Sequence, residues 1–400
     1  MYHIGKLMND SESLLLARIR LTKQRYKNFW MPEPIEVNMS LAVYPTGEYI
    51  VDMKVGSQIV PLLLDTGSPL IWWQCAPCED CFKQINYPVY NQSLSEDYDQ
   101  HFCPSINCIE KSGRGIRNQC INHMCHYKIQ YGDGSTSEGV YAYETISDVR
   151  GMLEKQIIFG CGVINKGAFY GYYAGILGFQ NDPLSFPNQI QADKFSFCFV
   201  PSQPKFDRKF QKMPDSSTLY LYDFPYLNED TTFIVELTHS GQHYVEFMGI
   251  KIDDVMIPID AAFWKRDELG KYGVMVDSGT TLTRFPPMVY NKVRNSFLKG
   301  VKGKMKAFKI ESFDTCFYSP GSTPGDYIPK VSLCFADEDR ELQLAPEHIM
   351  TSIGLIKDTY CFAFLEMESE LTILGNHQLQ HTRLSFNMWD DVVSFTPDDC

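Results

Sequence analysis

Two aspartates occupy matching sequence contexts, and their type and spacing could support chemistry. Asp65 lies within residues 62–68 (LLLDTGS), and Asp277 lies within residues 274–280 (VMVDSGT). In each copy an apolar run leads to an aspartate, a hydroxyl residue and a glycine, a composition that permits a sharp turn at the end of a strand. Either aspartate alone is most simply explained as a turn residue. The repetition instead predicts two half-sites that bring the carboxylates together.

Two carboxylates in a desolvated site cannot both ionise at low cost, so the pair retains one proton over an acidic range. The ionised carboxylate can take a proton from water while the protonated one polarises a peptide carbonyl. This chemistry needs no metal ion, cofactor or nucleophilic serine. Ser68 and Thr280, three residues beyond each aspartate, are predicted to hydrogen-bond the carboxylates. The residues predicted to support the pair are Thr66, Gly67, Ser68, Ser278, Gly279 and Thr280.

An internal repeat extends beyond the two motifs. Roughly a hundred residues after each aspartate comes an apolar run that ends in glycine, at residues 175–178 (GILG) and 373–375 (ILG). The same features in the same order predict duplicated lobes with a boundary near residue 225. The expected organisation is a basic region over residues 1–37, an N-terminal lobe over 38–225 and a C-terminal lobe over 226–400.

Local patterns indicate a mostly β protein. Short runs rich in Val, Ile, Tyr and Phe, bounded by turn residues, are typical of strands. Helical patterns are few, and the recurrence of Val289, Val293 and Phe297 predicts a helix over residues 287–301. The predicted strands are residues 49–55, 59–64, 127–131, 156–160, 218–222 and 392–395.

Composition restricts the class of protein. The formal net charge of -13 argues against binding to nucleic acid. No apolar run approaches the roughly 18 to 20 residues that span a bilayer. Thirteen cysteines, with seven of them between Cys75 and Cys125, favour an oxidising compartment, although the first 30 residues do not resemble a signal peptide. Glycosylation acceptor sequences begin at Asn9, Asn38 and Asn91.

Residues 11–29 differ from the rest of the chain, because they contain neither proline nor glycine and carry a block of basic residues. One interpretation is a solvated helix with a charged face. The other is a basic pro-segment that lies across an acidic cleft and is removed on activation, which charge complementarity would favour. The basic residues are Arg18, Arg20, Lys23, Arg25 and Lys27.

The paired motifs resemble those of the pepsin family of aspartic proteases. The resemblance implies a bilobal β fold with a cleft between the lobes, and catalysis by Asp65 and Asp277. Residues 127–135 (YKIQYGDGS) resemble the flap of that family, a β-hairpin that closes over bound peptide. Trp72 also fits the family pattern. The substrate-binding residues that the resemblance implies are Tyr131, Gly132 and Asp133.

The cysteines resemble the nepenthesin-like plant branch of the family, beginning with the insertion at residues 71–82 (IWWQCAPCEDCF). After residue 375 the chain reads NHQLQ where NFQQQ is more usual in that branch. The resemblance leaves Cys334 as the odd thiol. It implies the disulfides Cys75–Cys78, Cys81–Cys161, Cys103–Cys125, Cys108–Cys120, Cys198–Cys400 and Cys316–Cys361.

The expected function is therefore an aspartic endopeptidase that acts at acidic pH on extended peptide or protein substrates. We expect a monomer that is inhibited by pepstatin-type compounds and resides outside the cell, in the apoplast or in the vacuole. Two alternatives stay open. One is a protein of the same fold that has lost catalysis and inhibits carbohydrate-degrading enzymes. The other is a zinc site built from Cys75, Cys78, Cys81, Cys120, Cys125 and His126.

Overall fold

The computed structural model describes most of the chain after residue 34. None of the helices in the described part is both long and apolar enough to cross a bilayer. The described residues are 35–41, 47–103, 108, 115–201, 217–223, 231–238, 241–303, 305–336, 340–352, 354 and 356–398.

Strands dominate the described residues, and helices are short or few. The helices are α1 (Phe186–Ile190), α2 (Pro287–Gly300) and α3 (Pro346–Ile349), with single 3-10 turns at Gln92–Leu94, Ala261–Phe263 and Pro324–Asp326. The strands of the first half are β1 (Ile35–Leu41), β2 (Tyr49–Val55), β3 (Gln58–Asp65), β4 (Trp72–Gln74), β5 (Asp99–Gln100), β6 (Ile116–Ile121), β7 (Met124–Gln130), β8 (Thr136–Asp148), β9 (Glu154–Lys166), β10 (Gly175–Gly178), β11 (Lys194–Cys198) and β12 (Ser217–Leu221). Those of the second half are β13 (Phe233–Thr238), β14 (Tyr244–Val245), β15 (Phe247–Ile252), β16 (Val255–Met256), β17 (Val274–Asp277), β18 (Thr283–Phe285), β19 (Phe308–Ile310), β20 (Phe313–Tyr318), β21 (Val331–Phe335), β22 (Arg340–Leu344), β23 (Met350–Ser352), β24 (Thr359–Phe362), β25 (Phe364–Glu366), β26 (Thr372–Gly375), β27 (Thr382–Asn387) and β28 (Val392–Pro397).

The predicted mostly β architecture and the strongest local predictions are confirmed. Strand β2 has the predicted bounds, and its side chains are buried except for Asp52 and Lys54. Helix α2 ends one residue before the predicted end, and the residues that recur every four positions, Val289, Val293 and Phe297, are buried. The apolar stripe therefore fixes the helix by packing against the core.

The two halves repeat one arrangement around each aspartate. Strand β3 pairs in parallel with β10, which in turn pairs antiparallel with β4. Strand β17 pairs in parallel with β26, which in turn pairs antiparallel with β18. The apolar runs that end in glycine are therefore the central strands beside both aspartate strands.

Strands from both halves share one sheet. Strand β11 pairs with β27, and β13 pairs with β28. The rings of Phe195 and Phe386 stack across the first of these pairings with centroids 4.8 Å apart, and neither ring is exposed to solvent. The halves are thus joined by a hydrogen-bonded sheet and an aromatic core, which fixes the positions of the two aspartate strands relative to each other.

The predicted segment boundaries fall largely outside the described residues, and they stay predictions. Nothing is described of residues 1–34 or of the boundary near residue 225. The described strand β1 begins at Ile35 and pairs with β12, so the last three residues of the predicted basic region, Ile35 to Val37, are part of the sheet.

The structure corrects four of the six implied disulfides. Cys75 bonds to Cys161, because Cys75 directly follows β4, which pairs with β9, and this places the Cα atoms of the two cysteines 5.4 Å apart. The Cys75 N–H donates to the Gly162 carbonyl at 3.0 Å. Cys78 and Cys81 are left to pair with each other. These bonds replace the implied Cys75–Cys78 and Cys81–Cys161, and they occupy thiols that the zinc alternative requires.

The second correction concerns the cysteines near the hairpin of β6 and β7. Cys120 and Cys125 lie directly opposite each other in this hairpin, so either could reach Cys103 or Cys108. The structure pairs Cys103 with Cys120 and Cys108 with Cys125, instead of the implied Cys103–Cys125 and Cys108–Cys120. The choice depends on how the chain outside the hairpin is placed, which local sequence does not specify.

The remaining cysteines agree with the sequence analysis where they are described. Cys316 bonds to Cys361, which is its register partner on the adjacent strand. Cys334 is a free, buried thiol. Cys198 is disulfide-bonded, and the implied partner Cys400 lies outside the described residues.

Peptide mapping distinguishes the two sets of disulfides. Cleavage after Glu79 under non-reducing conditions separates Cys75 and Cys78 from Cys81, and cleavage after Lys166 separates Cys161 from Cys198. We expect one linked product of three peptides, since Cys75 joins Cys161 and Cys78 joins Cys81. A fragment closed by an internal Cys75–Cys78 bond, observed by mass spectrometry, would contradict the structure. The Cys316–Cys361 bond, common to both sets, is the internal control.

Candidate active site

Each aspartate is the last residue of a buried strand. Asp65 ends β3 opposite Gly178, and Asp277 ends β17 opposite Gly375. All four residues of β17 are buried, and so are the last six of β3. The apolar residues that hold these strands in the core therefore deliver each carboxylate to a strand end, where the chain turns.

The two turns approach each other so closely that each glycine faces the opposite aspartate. A Cβ atom added at Gly67 would lie 2.5 Å from Oδ1 of Asp277, and one added at Gly279 would lie 2.5 Å from Oδ1 of Asp65. Real Cβ contacts are longer than this, so glycine is required at both positions for close approach. The structure thereby brings together the carboxylates that the sequence predicted as a pair.

Reciprocal hydrogen bonds join the two turns behind the carboxylates. The Thr66 N–H donates to Oγ of Ser278 at 2.9 Å, and the Ser278 N–H donates to Oγ1 of Thr66 at 2.9 Å. Each hydroxyl also donates across the pair, Thr66 to the Val276 carbonyl at 3.1 Å and Ser278 to the Leu64 carbonyl at 2.8 Å. Four bonds among buried groups therefore fix the turns relative to each other.

The two carboxylates are bound unequally. A backbone N–H binds each one, from Gly67 to Asp65 at 2.8 Å and from Gly279 to Asp277 at 2.9 Å. Thr280 Oγ1 donates a further bond to Oδ2 of Asp277 at 2.7 Å, as predicted. Ser68 Oγ lies close enough to Asp65 to lower its pKa, yet it forms no hydrogen bond of normal geometry within the described structure.

The electrostatic environments of the two aspartates differ as well. Burial raises the pKa of Asp65 well above its ordinary value, and the neighbouring charge of Asp277 raises it again. Asp277 has the additional hydroxyl donor, which stabilises an ionised carboxylate. The raised pKa of Asp65 and the additional donor to Asp277 together favour a shared proton on Asp65.

Amide side chains beneath the turns support both loops, and the sequence analysis missed them. Gln180 Nε2 donates to the Gly67 carbonyl, and Asn376 Nδ2 donates to the Ser278 carbonyl at 2.9 Å. Both residues follow the apolar runs that end in glycine, Gln180 by two positions and Asn376 by one. A polar amide after each run was the signal that could have identified them.

The predicted flap tyrosine lies beside Asp65. Trp72 Nε1 donates to the Tyr131 hydroxyl at 2.6 Å. Burial first, and then the charge of Asp65, raise the pKa of Tyr131 well above its ordinary value. Tyr131 is therefore neutral at any working pH, and its hydroxyl proton remains available as a donor next to the carboxylate pair.

The rest of the predicted flap forms the tip of the hairpin between β7 and β8. The Tyr131 N–H donates to the Ser135 carbonyl at 2.8 Å, which closes the turn. Gly132 and Asp133 are exposed at this tip, and the Asp133 carboxylate accepts bonds from the Ser135 N–H and hydroxyl. The Asp133 carboxylate thus stabilises the shape of the turn, and Tyr131 is the flap residue that lies next to Asp65.

Aromatic side chains form a wall next to the flap. Phe169 packs edge-on against Trp72 at 5.5 Å between centroids, and Phe82 packs on Phe169 at 4.8 Å. Phe82 comes from the cysteine-rich insertion, so this insertion contributes apolar surface to the region beside Tyr131. Residues 169–173 (FYGYY) are the aromatic-rich signal from which this wall could have been predicted.

Comparison with family models matches most of the chain. The family described as "Xylanase inhibitor N-terminal" matches residues 49–207, and the family described as "Xylanase inhibitor C-terminal" matches residues 242–397. Within the described residues no group of His, Cys, Asp or Glu could hold a metal ion.

Curated relatives are similar over nearly the same length. Aspartic proteinase nepenthesin-1 from Nepenthes gracilis is 32% identical over 359 residues, which is 88% of this chain and 78% of the relative. Aspartyl protease family protein 2 from Arabidopsis thaliana is 32% identical over 364 residues, which is 89% of this chain and 71% of the relative.

Solved structures show the same fold at lower identity. The structure of edgp aligns with a TM-score of 0.71 at 16% identity, covering 92% of this chain and 95% of that one. Basic 7S globulin from soybean aligns with a TM-score of 0.68 at 18% identity, covering 91% and 96%.

The bonds between the turns make a specific stability prediction. Thr66→Val keeps the shape of the side chain but leaves the Ser278 N–H and the Val276 carbonyl without a partner in the core. Each of the two lost bonds costs about 1 to 3 kcal/mol, so we expect the free energy of unfolding to fall by about 2 to 6 kcal/mol. Urea denaturation measures this change. Thr66→Ser, which keeps the hydroxyl, is the matched control, and equal losses in both variants would contradict the network.

Proposed function

This chain belongs to the plant pepsin-like aspartic protease family, and we propose that it is an active endopeptidase whose Asp65 and Asp277 activate water to hydrolyse peptide bonds. The observation that carries the proposal is the reciprocal approach of the two aspartate turns, in which each glycine packs against the opposite carboxylate. The aspartic protease names of its curated relatives support the same reaction class.

The unequal environments assign the two roles. Asp277, which accepts the additional bond from Thr280, takes a proton from a water molecule, and the resulting hydroxide adds to the carbonyl carbon of the peptide. Asp65, which holds the shared proton, donates a hydrogen bond to the carbonyl oxygen as negative charge develops there. The tetrahedral intermediate then collapses when Asp277 returns its proton to the leaving nitrogen.

The flap contributes orientation and exclusion of water. Tyr131 is held by Trp72 beside Asp65, next to the aromatic wall, so closure of the hairpin over a peptide would cover the carboxylates with apolar surface. Removing water strengthens the electrostatic interactions on which the reaction depends. A peptide bound in extended conformation is the substrate that a cleft beneath a β-hairpin accommodates.

A second candidate function rests on the comparisons. The matching family models carry the description xylanase inhibitor, and a solved structure with the same fold is basic 7S globulin from soybean. A non-catalytic inhibitor of carbohydrate-degrading enzymes would need neither the close approach of two carboxylates nor the glycines that permit it. The geometry therefore favours the protease, and an activity assay separates the two.

The assay uses denatured haemoglobin as substrate between pH 3 and 5. We expect cleavage that pepstatin blocks and that Asp277→Asn lowers by at least about 10³-fold, since one member of a catalytic unit is lost. Activity should fall as pH rises, because the pair then loses its shared proton from Asp65, whose pKa burial raises well above its ordinary value. Asp97→Asn, on an exposed residue, is the matched control. Absence of cleavage, or cleavage that survives both pepstatin and Asp277→Asn, would overturn the proposal.

Processing and location form part of the same proposal. We expect acidification to remove residues 1–37 as a pro-segment, and we place the glycosylated protein outside the cell or in the vacuole, as the cysteines and the basic block suggest. N-terminal sequencing after acid activation tests the first point. A fully active enzyme that still begins at Met1 would contradict it.

A further inference from the structure

Three histidines meet in the second half of the molecule, next to the loop that carries Asp277. His348 lies on helix α3, and its ring centroid is 6.4 Å from that of His377 and 5.7 Å from that of His381. His348 and His377 are each only 5% exposed, and the Nε2 atoms of both have no hydrogen-bond partner in the described structure. Two of the three rings are thus buried with an unsatisfied nitrogen.

The segment that contains two of these histidines also supports the Asp277 loop. The Asn376 N–H donates to the Thr280 carbonyl at 2.8 Å, and the His377 N–H donates to the Thr281 carbonyl at 2.9 Å. Gln378 Oε1 accepts the Thr283 N–H at 2.8 Å, while Gln378 Nε2 donates to the His348 carbonyl at 2.8 Å. Displacement of this segment would therefore displace the loop.

Few charged groups face the cluster. The carbonyls of Met350 and Glu347 lie beside the ring of His377, and the two other histidines act on His348. The Glu347 side chain is half-buried on α3. Gln380 contacts Tyr49 of the first half, and Tyr49 is uncharged because burial raises its pKa. A proton added to the ring of His348 would thus meet a second histidine rather than a compensating carboxylate, while the ring of His377 has only those two carbonyls to offset its burial.

We propose that His348, His377 and His381 form an acid-sensitive cluster, in which protonation displaces residues 376–378 and with them the loop that positions Asp277. These histidines are positioning residues, since they act on Asp277 through Asn376 and Gln378. The part of the proposal that concerns catalysis rests on the proposed protease function. The cluster thereby sets the lower pH limit at which the carboxylate pair keeps its geometry.

The direction of the pH dependence follows from burial. Burial lowers the pKa of His377 to about 4, and burial together with the two neighbouring histidines lowers the pKa of His348 well below its ordinary value. Unfolded histidine binds its proton near pH 6.5. Between the folded pKa of about 4 and the unfolded value of about 6.5, the unfolded chain holds more protons than the folded chain. The stability that the neutral ring provides is therefore fully present above about pH 6.5 and is lost as pH falls through this range.

His377→Phe tests the cluster, because phenylalanine is a ring of similar size that cannot charge. One histidine whose pKa falls from about 6.5 to about 4 on folding accounts for about a 100-fold rise in the unfolding equilibrium constant between pH 6.5 and 3.5. We expect that, in urea denaturation over the same pH range, the unfolding equilibrium constant of His377→Phe lacks a rise of this size. Residual acid sensitivity is expected from His243, whose pKa burial also lowers to about 4, although its ring neighbours are Phe195 and Phe386.

The second measurement is the pH profile of kcat/KM on haemoglobin peptides. We expect the acid limb of His377→Phe, and of the independent variant His348→Gln, to move to lower pH, while the profile above pH 5 stays unchanged. His123→Asn is the matched control, since His123 is exposed on a turn with positive φ that asparagine tolerates.

The outcomes separate the cluster from the protease function. The urea measurement needs no substrate, so it tests the cluster even if haemoglobin is not cleaved. An unchanged dependence of unfolding on pH in both variants would overturn the cluster. A changed dependence of unfolding with an unchanged acid limb of kcat/KM would overturn the coupling to Asp277.

Discussion

The exchange of hydrogen bonds between Thr66 and Ser278 is the constraint on which the rest of the site depends. Each residue binds the backbone of the opposite turn, and the partners are 212 residues apart in sequence. Neither turn can therefore adopt its final position until both halves have folded and packed. The shared sheet of β11 and β27 and the stack of Phe195 on Phe386 supply the rigid base for this exchange.

The same exchange explains how two similar turns acquire different chemistry. The backbone donors to the two carboxylates are equivalent, one glycine N–H to each. The difference arises three residues beyond the aspartates, where Thr280 donates to Asp277 but Ser68 forms no bond of normal geometry to Asp65. In a buried site, an additional donor favours the ionised form of the carboxylate that it binds. A duplicated architecture can thus support an asymmetric reaction through one side chain.

The sequence predicted those parts of the structure that local pattern determines. Strand β2 and helix α2 follow from the burial period of their residues, and the two aspartates follow from a repeat visible in the chain. The bond between Cys75 and Cys161 was not predicted, because it depends on which strands become neighbours after the chain folds. Asn376 was missed for a related reason, since its bond to Ser278 joins positions 98 residues apart.

Residues 376–381 show why support of the site and packing of the halves cannot be separated in this fold. At its start this segment binds the Asp277 loop through Asn376, and at its end Gln380 donates to the Tyr49 hydroxyl of the first half at 3.0 Å. A short stretch with contacts at both ends transmits any change in its own packing to the carboxylates. Buried polar groups are costly unless they are bonded, so an unpartnered ring nitrogen in this stretch is stable only while it remains neutral. In our proposal the carboxylate pair therefore keeps its geometry only above the pH at which the buried histidine rings of this stretch gain a proton.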